Sequence, residues 1–405
     1  MATRSILGAS FVFFEIGVLV FVFMSMNMSL TWPLARISIT LFTFITTCFF
    51  LFVQKRGVFK VTTSGINLCM FLGILCLYQL SFCVQFNLDS ISRYICTFLV
   101  GSVIIVSTLK IKIKLLEIFS KSLGVLLSVS LVGWVLFLSG VPLPHYTTYD
   151  GVFYTHTNYY FFLSDGYTEE LVPRFMGMFQ EPGHLGTTCV FLLFVNRFNL
   201  KRWDCMIMFI SILFSLSLAA YGLLIGGMIL HMLIYSRHKI IYTTLLVTVL
   251  AGSAIFAISV DRGDNVVNQM IVSRLEITDD GDIAGNNRYA EFFRYRYSRF
   301  IESKDRYFGI GNMYENLARR WWNNSAGWRR LLVTNGIVGT VLVLLFYIFV
   351  LRKNYSRAGL ALFILYVVAN MIRDHVMKEY WLYIYLMAIP ILAAYTANKK
   401  GTLNG

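Results

Sequence analysis

Long, uninterrupted apolar runs recur along almost the whole chain of 405 residues, and they constrain its fold more than any other feature. Most runs have about 17–25 residues, the length at which an α-helix crosses the hydrocarbon core of a bilayer. A span must satisfy its backbone polar groups internally, so only helices and closed barrels qualify, and continuous rather than alternating runs favour helices. We therefore expect an all-α polytopic membrane protein, with residues 1–405 forming a single integral membrane domain.

The runs predict about twelve transmembrane helices. Their ranges are 6–26, 34–53, 64–83, 91–109, 115–138, 183–197, 204–219, 221–236, 240–260, 331–351, 357–372 and 380–397. The first is interpreted as a retained span, because no small-residue cleavage site of a signal peptide follows it. Two intervening segments, 141–182 and 261–330, are too long to be simple connectors, and long loops of this kind often carry binding and chemistry.

Lysine and arginine residues are concentrated in the short turns on one side of the predicted bundle. The positive-inside rule makes this side cytoplasmic and places both termini there, with the two large loops on the opposite side. The net charge of +14 is therefore mostly a topology signal. Nucleic-acid binding would need the basic residues on one solvated domain, so we exclude this class of function.

The first large loop ends with charged and polar residues immediately before an apolar run. Arg174, Glu181 and His184 flank Pro182, which suits the first position of a helix. The helix from 183 would span about 21 Å, less than the roughly 30 Å hydrocarbon core, so Glu181 and His184 would be recessed unless the helix starts earlier and bends. Glu181 is a candidate general base, or merely a charge that complements the helix dipole. His184 is a candidate substrate contact, or an ordinary hydrogen-bonded side chain.

The second large loop has an acidic first part, 261–285, and a basic second part, 286–330. Aromatic and arginine residues alternate at helical spacing across 286–304, which predicts an amphipathic helix in the membrane interface. Arginine suits forked recognition of phosphate, and contact with lipid headgroups is the alternative for most of these residues. The candidate substrate-binding residues of this loop are Tyr289, Arg294, Arg299, Arg319, Arg320 and Arg329.

Metal chemistry finds little support in the sequence. Neither large loop contains cysteine, and no zinc-ligand spacing occurs. The stretch 280–291 fits most of a calcium-loop pattern, but Ala284 and Arg288 occupy positions where ligands are required. The acidic run at 279–282 is better interpreted as a solvated turn, and we predict neither a metal nor a cofactor.

Several short motifs resemble the O-antigen polymerase and ligase superfamily of bacterial inner-membrane glycosyltransferases. They are Arg174 and Gly177 followed by Pro182 before a span, Arg288 in the last large loop, Gly309 and Gly311, and Gly336 and Gly339 opening the next span. The resemblance implies a periplasmic site that acts on glycans carried by undecaprenyl pyrophosphate, without metal or nucleotide sugar. It also implies that Arg174 and Arg288 hold the pyrophosphate leaving group.

Within this superfamily, ligases normally carry a histidine shortly before the Gly-x-x-Gly motif. Ser325 stands at that place here, so the sequence favours a polymerase that extends a surface polysaccharide, with Glu181 as its candidate base. Its expected partners are the lipid-linked donor and acceptor glycans and membrane lipids, with a chain-length regulator as a candidate. The ligase, and a flippase or permease for lipid-linked oligosaccharides, remain alternatives.

Overall fold

The computed structural model describes residues 26, 29, 60–83, 88–149, 155–165, 173–260, 265, 268, 272–273, 291–311, 327–372 and 379–401. Most of these residues are helical, as the continuous apolar runs predict. In chain order the α-helices are α1 (Thr63–Tyr78), α2 (Leu88–Val106), α3 (Leu109–Leu138), α4 (Pro182–Val195), α5 (Trp203–Phe214), α6 (Leu218–Tyr235), α7 (Lys239–Ser259), α8 (Glu291–Glu302), α9 (Gly327–Lys353), α10 (Arg357–Ile372) and α11 (Glu379–Gly401). A π-helical turn, Gln79–Cys83, extends α1.

Four of these helical segments are long and apolar enough to cross a membrane. They are Thr63–Cys83, Leu109–Leu138, Leu218–Tyr235 and Gly327–Lys353. Their presence supports the predicted membrane class of the protein. Every predicted span from 64–83 onward coincides with a helix, whereas 6–26 and 34–53 lie outside the described residues. The total of twelve spans and the sides on which the loops lie stay predictions.

The first large loop contains a small antiparallel sheet that the all-α prediction missed. Its strands are β1 (Tyr146–Tyr149), β2 (Thr155–Asn158) and β3 (Leu163–Asp165), in the order β1-β2-β3. Threonine and tyrosine dominate the first two strands, and such residues favour the extended conformation. These strands are too short to stand out among the apolar runs on which the prediction was based.

The described residues separate into two compact units. Unit one contains those of Met1–Ser122, Tyr295–Trp322 and Ala326–Gly405, and unit two those of Leu123–Arg294. The core of unit one includes Tyr347, Tyr366 and Tyr385, which are almost fully buried. The hydroxyl of Tyr366 donates to the Trp381 carbonyl at 2.7 Å, and that of Tyr385 to the Tyr347 carbonyl at 3.1 Å. These hydrogen bonds satisfy the buried hydroxyl groups of Tyr366 and Tyr385 while their rings pack in the core.

Unit two is organised around α4, which packs against α5 and α6. The turn from α4 to α5 is closed by Arg202, which makes a forked ion pair with Asp204 at 3.1 and 2.6 Å and donates to the Asn196 side chain at 2.9 Å. Asp204 is 1% exposed. Gly124 of α3 lies directly against Asp204, where a Cβ would crowd the aspartate. The ion pair thus fixes the end of α4 opposite to the candidate base.

Candidate active site

The segment that leads into α4 is held by main-chain hydrogen bonds from two directions. Gly177 has φ +54, a left-handed conformation that favours glycine. Its carbonyl accepts a 2.8 Å hydrogen bond from the N–H of Leu163 in β3. The N–H of Phe175 donates to the carbonyl of Phe214, the last residue of α5, at 2.9 Å. The missed sheet therefore has a definite role, because it positions the backbone between the two candidate catalytic residues of this loop.

Apolar burial also anchors this segment. Phe175 is fully buried, and its ring centre lies 5.6 Å from that of Trp134, which in turn lies 5.3 Å from that of Phe214. Arg174 and Glu181, near the two ends of the segment, stay partly exposed. We call residues 174–181 the strap: a rigid, mostly apolar segment with a charged residue at each end.

Glu181 occupies the N-cap position of α4. Its backbone is extended, with φ −143 and ψ 144, and its carbonyl accepts a 3.0 Å hydrogen bond from the N–H of His184. Pro182 follows in the first turn, as the sequence predicts. The Glu181 carboxylate makes no capping hydrogen bond with the helix, although N-cap side chains commonly do so. A partly exposed carboxylate thus lies at the electropositive end of α4 without serving as its hydrogen-bonded cap.

Residues Arg174, Glu181 and His184 all belong to unit two. His184 is partly exposed and lies one turn into α4, where its carbonyl accepts a 2.8 Å hydrogen bond from the Thr188 hydroxyl. None of the three predicted residues is without an interaction partner in the fold. All three are partly exposed; Arg174 and Glu181 lie in the segment that leads into α4, and His184 lies in its first turn.

Helix α4 gives this region a fixed base. Nearly all of its 14 residues are buried. Gly186 lies so close to Ala220 of α6 that a Cβ at this position would collide with it. Thr187 and Thr188 donate their hydroxyls to carbonyls four residues earlier, each at 2.8 Å, so no buried hydroxyl is left over there. Because α4 cannot shift without repacking its surroundings, the location of Glu181 depends mainly on rotation of its own side chain.

Two further candidate residues lie in unit one, where arginines stack on aromatic rings. The Arg299 guanidinium lies 4.7 Å from the ring centre of Tyr295. The Arg329 guanidinium lies 5.1 Å from the ring centre of Tyr297 and 5.4 Å from that of Trp328. We call these five residues of α8 and α9 the arginine–aromatic surface. Stacking orients a guanidinium and leaves the N–H groups at its edge available for a planar anion.

The amphipathic helix predicted over 286–304 is present as α8, from Glu291 to Glu302. Four predicted site residues lie outside the described part of the chain: Arg288, Tyr289, Arg319 and Arg320. Arg294 belongs to α8, but its side chain is not described. The partial calcium loop and Ser325 also lie outside the described residues.

Gly309 and Gly336, which come from two of the motifs that resemble the superfamily, belong to one backbone arrangement in unit one. Gly336 interrupts α9 with φ 65 and ψ −178, a conformation that is essentially restricted to glycine. A loop docks into this interruption: the Ile310 N–H donates to the Val333 carbonyl at 2.9 Å, and the Val338 N–H donates to the Tyr307 carbonyl at 3.0 Å. We call this arrangement the clasp. The backbones of Gly309 and Gly336 are in contact here, so a Cβ at either position would collide with the other.

A buried polar network continues from the clasp into α1. The Tyr78 hydroxyl donates to the Asn335 carbonyl at 2.6 Å, and the Gln79 amide donates to the Asn335 side-chain oxygen. Asn335 in turn donates to the Leu331 carbonyl at 2.9 Å. Sequence reasoning did not identify this network. The signal was present as one glutamine and one asparagine inside predicted spans, where polar side chains commonly hydrogen-bond across helices.

Metal binding receives no support from the described residues, among which no group of three or more His, Cys, Asp or Glu residues could hold an ion. Comparisons of the chain with protein-family models, with curated proteins and with solved structures found no match. The functional argument therefore depends on the residues and geometry described above.

Proposed function

We propose that this chain is a glycosyltransferase of the O-antigen polymerase and ligase superfamily, which polymerises oligosaccharide repeat units linked to undecaprenyl pyrophosphate at the periplasmic face of a bacterial inner membrane. The observation that carries the proposal is the Glu181 carboxylate, which lies partly exposed at the start of the buried helix α4 and does not cap it. Arg174 precedes it on the same rigid strap. A carboxylate and an arginine on one fixed segment suit a reaction that moves a proton and releases an anion.

In the proposed reaction, Glu181 accepts the proton of a hydroxyl group on the terminal sugar of the acceptor. The hydroxyl oxygen attacks the anomeric carbon of the donor glycan and forms the new glycosidic bond. The bond between that carbon and the diphosphate oxygen breaks, and undecaprenyl diphosphate leaves with the electron pair. Arg174 and Arg288 stabilise the charge that develops on the diphosphate, so guanidinium groups supply the positive charge in place of a metal.

The arginine–aromatic surface supports a ligand with both anionic and apolar or sugar-like parts. Tyrosine and tryptophan rings suit the membrane interface and can also pack against sugar faces, while Arg299 and Arg329 present cationic groups beside them. In the proposal this surface helps to hold a lipid-linked glycan in the second large loop. It does not by itself distinguish a polymerase from a ligase or a flippase.

The discriminating experiment replaces Glu181 with Gln, and in a second variant Arg174 with Lys, in cells whose own copy of the protein is removed. General-base contributions are typically about 10²–10⁴-fold, so Glu181→Gln cells should display single repeat units instead of long chains. Arg174→Lys keeps the charge but loses the planar fork, and we expect a similar loss of polymer length. The surface glycans are resolved on gels, with the amount of each variant in the membrane measured in parallel.

Glu117→Gln is the matched control, because Glu117 is a half-exposed carboxylate on α3 that makes a 2.7 Å ion pair with Lys121 and does not belong to the segment that contains Glu181. That variant should produce a normal ladder of long chains. A normal ladder from Glu181→Gln would reject Glu181 as the base. Loss of even the single-unit product would instead indicate the ligase or the flippase alternative.

A further inference from the structure

A cationic cluster lies at one end of unit one, away from the residues of the proposed reaction in sequence. Lys112 of α3 is only 7% exposed, and its ammonium group donates to the Ile105 carbonyl in the last turn of α2 at 3.2 Å. The backbone N–H of Lys60 donates to the neighbouring carbonyl of Val106 at 2.9 Å. The segment just before α1, the end of α2 and the start of α3 therefore meet at this point.

Lys353, the last residue of α9, reaches the same place. Its Nζ lies 3.6 Å from the position that a Cβ on Gly65 would occupy, in the first turn of α1. Thr62 caps this turn by accepting a 3.1 Å hydrogen bond from the Gly65 N–H. Cys69, one turn further along α1, connects this place with Lys112, because its thiol lies 4.0 Å from the Ser102 carbonyl of α2, about one turn before the Ile105 carbonyl that Lys112 contacts. Lys353 thus lies beside the electropositive end of α1, and Lys112 lies against the part of α2 that packs on α1.

Nothing in the described part of the chain neutralises this pair. Neither Lys112 nor Lys353 has a carboxylate partner among the described residues. An ammonium group has three hydrogens to donate, and the buried one of Lys112 has a single hydrogen-bond acceptor, the Ile105 carbonyl. Ammonium groups with unused donors are stabilised by an anion that accepts hydrogen bonds from them.

We propose that Lys112, Lys353 and the first turn of α1 form a binding site for a phosphate group, carried either by an anionic phospholipid or by a soluble phosphate. Lys353 is exposed and contacts the anion first, while the buried Lys112 charge lies beneath it. The backbone N–H groups of Thr63 and Ser64, which precede the one that Thr62 caps, lie at the same end of α1. The site is independent of the glycosyl transfer proposed above and involves none of its residues.

The test measures thermal stabilisation of the purified full chain in detergent against added phosphatidylglycerol, phosphatidylcholine and inorganic phosphate. Phosphatidylglycerol should raise the melting temperature, and phosphatidylcholine, whose choline cancels the phosphate charge, should have a much weaker effect. Stabilisation by inorganic phosphate at comparable concentration would identify a soluble anion as the ligand, whereas stabilisation by the lipid alone would identify a headgroup.

Lys353→Gln is the principal variant, because an exposed residue at a helix end can be changed without disturbing the core. It should raise the half-saturating concentration of the ligand by about tenfold, the effect of one lost charge-assisted hydrogen bond. Lys353→Arg should retain binding, and Lys121→Gln, which removes a surface lysine already paired with Glu117, should bind as the native chain does. Equal binding by Lys353→Gln and Lys121→Gln, or no response to any of the three additives, would overturn the proposal.

Discussion

Replacing Gly336 with Ala should damage unit one far more than a glycine substitution in a helix normally does. The native conformation at this position, φ 65 and ψ −178, is strained for any residue with a Cβ. The new methyl group would also overlap the Gly309 nitrogen and the Tyr307 carbonyl oxygen. Alanine therefore cannot be accommodated unless the loop leaves the clasp or α9 changes its path.

The two effects can be added to give an expected magnitude. Backbone strain of this kind amounts to about 1–3 kcal/mol, and overpacking a close contact to about 1–3 kcal/mol, so the variant should lose about 2–6 kcal/mol of stability. Gly222 of α6 provides a matched control, because a Cβ there meets no atom within 4 Å. Gly222→Ala should be neutral or more stable by about 0.5–1 kcal/mol, since alanine favours the helix.

The measurement is the melting temperature of detergent-purified protein. Samples are heated to a series of temperatures, and the loss of the monodisperse peak in size-exclusion chromatography is recorded. Gly336→Ala should melt well below the native chain, and Gly222→Ala at or slightly above it. If the two variants had the same melting temperature, the close approach of Gly336 to the 307–309 backbone would not be a feature of the folded protein. The argument for the clasp would then fail.

Two further substitutions test buried polar interactions by the same melting assay. Asn335→Leu should lower stability by about 1–3 kcal/mol, because it leaves the buried Gln79 amide without its hydrogen-bond acceptor. Adding Gln79→Leu should recover part of that loss. A double variant whose loss of stability equals the sum of the two single losses would contradict the network. Asp204→Ala should lower stability toward the lower end of about 3–5 kcal/mol, because it leaves Arg202, whose side chain is 32% exposed, without its buried partner. Arg202→Ala combined with Asp204→Ala should then add little, and a full additive loss would show that the two residues do not act as a pair.

Hydropathy was sufficient to predict the apolar helices of the described residues, because apolar continuity is a local property of the sequence. Pro182 marks the start of α4 as expected, and the predicted span 221–236 differs from α6 by only a few residues. The span predicted at 115–138 begins earlier, at Leu109, because the lysines of 109–114 are compatible with a helix that extends beyond the hydrocarbon core. A helix boundary predicted from side-chain polarity can therefore fall several residues inside the real one when lysines belong to the helix.

The interactions that position the candidate site could not be predicted in the same way. The bond from Leu163 to Gly177 and the stacking of Arg329 on Tyr297 join elements that sequence reasoning treated separately, and neither has a local signature. The sheet was missed because its strands, of three or four residues each, are too short to stand out among the apolar runs. The identity of the residues near α4, in contrast, was accessible, since a proline flanked by Glu181 and His184 at the end of a loop is visible in the sequence.

The buried bond between Gln79 and Asn335 also has a consequence for the synthesis of the protein, since the two residues are 256 positions apart in the chain. At about 5–20 residues per second, Gln79 emerges from the ribosome roughly 13–50 s before its partner does. During this interval its amide would be unsatisfied in hydrocarbon, which is unfavourable by several kcal/mol. We therefore expect the π-helical end of α1 to stay near water, lipid headgroups or the insertion machinery during this interval. The packing of α1 is complete only after α9 has been synthesised.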